Sequence, residues 1–142
     1  MQTTTALLLG TSLMALPLPT RRVLLMDDEE AILLPTARYF RALGFTVDIA
    51  REPMQAEVLL NREHYDLAIV DLRMTRSGAT EGLEVLREIR RLNQGTKVVV
   101  LSAYISHEAE AEARALGADG VLRKPQLLPD LAHLAFVLMG GA

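Results

Sequence analysis

Three aspartates, a serine and a lysine stand where short apolar runs stop. Val23-Leu24-Leu25-Met26 runs into Asp27-Asp28, and Leu67-Ala68-Ile69-Val70 runs into Asp71. Val98-Val99-Val100-Leu101 runs into Ser102, and Val121-Leu122-Arg123 runs into Lys124-Pro125. Three carboxylates, a hydroxyl and an ammonium at one place suit a divalent cation and a phosphoryl group. Hard oxygen donors hold a cation such as Mg²⁺, and an aspartate carboxylate can attack phosphorus to form an acyl phosphate. Singly, each residue has a plainer role: Asp27 and Asp28 as helix caps, Ser102 as a turn residue, Lys124 as a solvated lysine. The set carries chemistry only if it converges.

Convergence requires the apolar runs to be parallel strands of one open α/β sheet, because ligands of such sheets bind beyond the strands' carboxyl ends. From Arg21 onward, strand and helix signals alternate at short intervals, as βαβ units do. Strands are expected over 22–26, 46–50, 66–71, 97–101 and 120–123. Helices are expected from about 28 to 43, 53 to 61, 81 to 92, 106 to 116 and 129 to 139. Leu43-Gly44 and Leu116-Gly117 close two of these helices with the residue that best tolerates a left-handed cap. Pro53 suits a first helical turn, whereas Pro35 falls inside the first helix and should remove a hydrogen bond or kink it. The first, third and fourth strands are continuously apolar, as strands covered on both faces are.

Composition narrows the function classes. The 142 residues are 50% apolar, enough for one domain with a real core. A net charge of −3 argues against a basic nucleic-acid surface, so no direct DNA binding is expected. There is no cysteine and no tryptophan, and aromatics are 4%, which excludes disulfides, thiolate chemistry and base-stacking platforms. Residues 1–20 stand apart as an apolar extension: an arm, a tail or an over-extended start. Ala6 to Leu18 is shorter than the roughly 20 residues of a membrane span, and Met1 to Thr5 lacks the basic residue of a secretory signal. A cytoplasmic protein with no membrane association is expected.

The chain resembles a response-regulator receiver domain, the phosphoacceptor half of two-component signalling. The pieces that carry the resemblance are Leu25-Met26-Asp27-Asp28-Glu29, Asp71-Leu72-Arg73-Met74, Gly82-Leu83-Glu84-Val85-Leu86, Leu101-Ser102-Ala103 and Lys124-Pro125. The resemblance covers roughly residues 21–139, with no output domain expected after it. The resemblance implies a flavodoxin-like fold, five parallel strands in the order 2-1-3-4-5. It implies Asp71 as the phosphoacceptor, with Asp28 and Asp71 ligating Mg²⁺ (or Mn²⁺) directly, Asp27 acting through a water and Arg73 lending its backbone carbonyl. Lys124 and Ser102 would meet the phosphoryl oxygens, and the Lys-Pro bond would be cis. The implied partners are a histidine kinase or phosphotransfer protein and a downstream protein target. The expected product is a stand-alone switch that phosphorylates and dephosphorylates itself and is not otherwise an enzyme. Two other readings stay open: an aspartyl-phosphate-type hydrolase on a related fold, and a receiver-like interaction module that is never phosphorylated.

Three departures from the family pattern bear on mechanism. Val121 occupies the position where many receivers carry an aromatic switch residue, so signal transmission must use the loop after Ser102, or Tyr104. The loop from Asp71 to Gly82 carries Thr75 where proline is usual and is about three residues longer. The last helix has Asp130 as its only charge, so it should be buried on nearly all faces, and a homodimer through it is expected.

Overall fold

The computed structural model describes residues 21–72 and 80–140. Arg73, Thr75 and the rest of the long loop before residue 80, like the apolar stretch 1–20, lie outside the described residues. Ten elements alternate: β1 (Arg22–Met26), α1 (Glu30–Ala42), β2 (Thr46–Ala50), α2 (Pro53–Arg62), β3 (Leu67–Val70), α3 (Thr80–Leu92), β4 (Lys97–Ser102), α4 (His107–Ala115), β5 (Gly120–Arg123) and α5 (Leu128–Leu138). All strand pairs are parallel, and the order is β2-β1-β3-β4-β5. This is the flavodoxin-like order, with its topological switch between β1 and β3.

The continuous apolar runs are explained by two cores on opposite faces of the sheet. Leu24, Met26, Ala68, Val70, Val98 and Val100 turn toward α2, α3 and α4, while Val23, Leu25, Leu67, Ile69, Val99 and Leu101 turn toward α1 and α5. Successive strand residues alternate faces, so covering both faces requires every position to be apolar. The buried set includes Phe40, Leu33 and Ala37 from α1 and Leu131 and Ala135 from α5.

Element boundaries differ from the sequence expectation by one or two residues. Ser102 ends β4 instead of following it, and Asp66 and Asp71 lie just outside β3 instead of within it. Gly44 and Gly117 have φ of 101° and 106° beyond α1 and α4, as expected of glycine caps. Ser106 caps α4, its hydroxyl accepting from the Ala109 N–H at 3.1 Å. α1 runs through Pro35 without a break.

The last helix is not enclosed by the described residues. Leu131 and Ala135 are buried, but Phe136 is 45% and Val137 51% exposed. One apolar side meets the sheet; the other faces outward.

Candidate functional site

The site is set by backbone hydrogen bonds that carry the sheet ladder one residue past the strands. The Asp27 N–H donates to the Ala50 carbonyl (3.1 Å), Asp71 N–H to Met26 (2.9 Å) and Lys124 N–H to Ser102 (2.8 Å). These bonds fix Asp27, Asp71 and Lys124 at one level of the carboxyl edge. Gly82 sets the depth of α3 behind Asp71: a Cβ there would lie 2.5 Å from the Leu72 Cα and 2.9 Å from its carbonyl oxygen. Helix and turn approach closely only because the side chain is missing.

Lys124 stands at the centre. Its ammonium is 2.7 Å from Asp27 Oδ2, 2.9 Å from Glu29 Oε1 and 3.1 Å from Asp71 Oδ2. Burial alone would lower its pKa, but hydrogen bonds to Asp27 and Glu29 and the Asp71 charge outweigh burial and hold it above the usual lysine range. The Lys124-Pro125 bond is cis, as the resemblance implies.

Oxygens of Asp27, Asp28 and Asp71 lie within 4.8 Å of one another, the one such acidic group among the described residues. Asp27 and Asp71 are buried, whereas Asp28 is exposed. Loss of surrounding solvent, then the neighbouring Asp27 charge, raise the Asp28 pKa. With Glu29, four carboxylates lie beside one ammonium among the described residues. That surplus of negative charge and of oxygen donors fits a hard divalent cation.

Ser102 is fully buried at the end of β4, and its hydroxyl donates to the Tyr104 carbonyl at 3.0 Å. The sequence reading aims this hydroxyl at the phosphoryl group; in this geometry it is turned into its own loop. The Tyr104 side chain is 59% exposed. Val121 packs against the core on the α4 side of the sheet. Arg73 lies outside the described residues. The site residue that the sequence reading misses is Glu29; its place directly after Asp27-Asp28 is the available signal.

With this geometry in hand, the comparisons are specific. The family model described as response regulator receiver domain matches residues 23–135. The alginate biosynthesis transcriptional regulatory protein AlgB of Pseudomonas putida is 39% identical over 115 residues, covering 80% of this chain and 25% of that regulator. The chain therefore spans about a quarter of the length of this relative. The CheY-like response regulator receiver domain protein of Methanospirillum hungatei superposes with a TM-score of 0.80 at 26% identity, covering 86% of this chain and 95% of that one. A response regulator from Thermotoga maritima gives 0.76 at 28% identity, covering 87% and 100%. No helix of the described residues is long and apolar enough to cross a membrane.

Proposed function

The chain belongs to the response-regulator receiver family of two-component signalling, and on that premise we propose that it accepts a phosphoryl group on Asp71 and works as a phosphorylation switch. The observation that carries this reading is the placement of the buried Asp71 carboxylate, 3.1 Å from the Lys124 ammonium and within 4.8 Å of the Asp27 and Asp28 oxygens. The donor is a histidine kinase or phosphotransfer protein. An Asp71 oxygen attacks phosphorus, a P–O bond forms, and the donor's P–N bond breaks with its electron pair leaving on the imidazole. Positioning and charge neutralisation dominate the barrier to such a transfer.

Asp27, Asp28 and Asp71, with the Arg73 backbone carbonyl, are the residues that would hold Mg²⁺ or Mn²⁺. When bound, the ion neutralises charge on the phosphoryl oxygens. Lys124 supplies the protein's own cation to the same oxygens. Ser102 reaches them only by giving up the Tyr104 carbonyl, so occupancy at Asp71 pulls on the loop after β4. That loop bears the exposed Tyr104 ring, which becomes the outward reporter where Val121 offers no aromatic ring. The acyl phosphate is lost to water, returning the carboxylate and inorganic phosphate. The phosphoacceptor step is the same whether the domain acts by itself or joined to an output module.

Incubation with acetyl phosphate and Mg²⁺ is expected to add one phosphoryl group, read by intact mass. Asp71→Asn and EDTA should each abolish it. Labelling that survives in Asp71→Asn would overturn the assignment.

A further inference from the structure

We propose that Glu29 is a positioning residue that holds the Lys124 ammonium in reserve and releases it when a phosphoryl oxygen arrives; the inference rests on the phosphoacceptor reading and deepens it. An ammonium has three N–H donors. Lys124 has three carboxylate oxygens around it, from Asp27 at 2.7 Å, Glu29 at 2.9 Å and Asp71 at 3.1 Å. Its donors are committed, so a phosphoryl oxygen must take the place of one of these carboxylates.

The three differ in how readily they leave. The side chains of Asp27 and Asp71 are 9% and 4% exposed, whereas that of Glu29 is 57% exposed. A buried carboxylate stripped of its cation stays desolvated, but an exposed one recovers its hydration by rotating outward. Asp71 is the acceptor itself. Asp27 is held in place by a second bond, its Oδ1 accepting from the Glu29 backbone N–H at 2.9 Å. Glu29 is therefore the partner that departs.

Glu29 is also placed so that its side chain is available for this work. It is the N-cap residue of α1, yet its side chain makes no capping hydrogen bond to its own helix. A shorter Asp at this position would favour the helix N–H groups, as Asp does at N-caps, and would be too short to keep Lys124. Glu29 thus acts as a competitor for the phosphoryl group's cation, and it sets how tightly the site takes a tetrahedral anion.

The experiment uses the full chain in Mg²⁺, with beryllofluoride as a stable tetrahedral stand-in for the phosphoryl group and NMR as the readout. Glu29→Gln is expected to lower the half-saturating beryllofluoride concentration about threefold to fivefold, the range that loss of one exposed ion pair supports. Glu29→Asp, which keeps the charge but loses the reach, is expected to produce the same fall. Glu30→Gln removes a neighbouring charge that pairs with Arg51 instead, and should leave the value unchanged. An unchanged value in Glu29→Gln overturns the proposal. So does a Glu29→Asp variant that keeps the original value, because local charge and not contact with Lys124 would then be the cause. Labelling with acetyl phosphate separates the two levels. A chain that takes the label but whose anion affinity ignores Glu29 overturns this inference alone; a chain that takes no label overturns the phosphoacceptor reading with it.

Discussion

Charged side chains gather at both ends of the sheet, and the two gatherings are built differently. At the amino-terminal end, Arg22 Nη1 donates to Asp48 Oδ2 at 3.1 Å, and Tyr65 Oη donates to the same oxygen at 2.7 Å. The Arg22 backbone N–H donates to Asp66 Oδ2 at 2.8 Å, and Thr96 Oγ1 donates to the Tyr65 carbonyl at 2.7 Å. Beside it, Arg90 joins Asp119, whose Oδ2 also accepts from the Val98 N–H at 2.8 Å. Here carboxylates meet donors fixed to strands and helix ends, and the group ties β1, β2 and β4 to neighbouring turns. At the carboxyl end, Asp27, Glu29 and Asp71 share the Lys124 ammonium, and Asp28 lies beside Asp27 and Asp71. In the first network Asp48, Asp66 and Asp119 each accept from donors of the fold; in the second, among the described residues, four carboxylates crowd one ammonium, a surplus that suits a cation from outside. Buried polar groups that find partners within the fold stabilise it, whereas an unbalanced cluster at a ligand-binding edge points to function.

The largest effect is expected at Lys124. Lys124→Ala removes the ammonium that Asp27 and Asp71 share, and these two carboxylates are 6% and 4% exposed. In Mg²⁺-free buffer at neutral pH, loss of a partner from such a buried set should cost about 3 kcal/mol in urea unfolding. A cost under about 1 kcal/mol would mean that the carboxyl end behaves as an ordinary surface cluster.

A smaller effect is expected at the opposite end. Tyr65→Phe deletes one hydrogen bond and leaves Asp48 with Arg22, so about 1 kcal/mol should be lost. The rate of labelling by acetyl phosphate should not change. A large change in that rate would show that the amino-terminal network is coupled to the chemistry instead of serving the fold alone. Burial, then the hydrogen bond to Asp48, push the Tyr65 phenol well above its usual range, so it stays neutral throughout the working pH range.

The smallest effect is expected at Asp28. Asp28 has a raised pKa in the folded protein, so the native state holds its proton more firmly than the unfolded chain does. Its ionisation therefore opposes folding above that pKa, and apo stability should rise as pH falls through it. Asp28→Asn should remove this component and slightly raise the apo melting temperature at neutral pH. Lys124 has the opposite sense: its stabilisation is complete below the ordinary lysine pKa and is lost only as pH rises through its raised value. Mg²⁺ should raise the melting temperature of the unaltered chain by binding the native state, and Asp28→Asn should lose most of that rise. A metal response of full size in the variant would remove Asp28 from the ion's ligands.

Much of this was legible because apolar runs and glycine caps report local structure directly. The runs ending at Met26, Val70 and Leu101 mark strands whose two covered faces leave no polar position, and Asp27, Asp71 and Ser102 follow at their ends. What remained hidden depends on direction. The type of Ser102 does not reveal that its hydroxyl turns to the Tyr104 carbonyl. Glu29 reads as a helix-end acid until the fold brings Lys124 across from β5. Tyr65, Asp48 and Arg22 are far apart in the chain, and only the pairing of β1 with β2 and β3 joins them. For α5, the apolar sequence implied enclosure, yet Phe136 and Val137 face outward from the described residues.

We propose that the carboxyl end of the sheet acts through one carboxylate, Asp71. It is tested most directly by reducing the acetyl phosphate-treated protein with borohydride and sequencing its peptides by mass spectrometry. An acyl phosphate is reduced to an alcohol, which converts an aspartate to homoserine. Homoserine is expected at position 71, with aspartate retained at positions 27 and 28. Homoserine at 27 or 28, with position 71 unchanged, would contradict it.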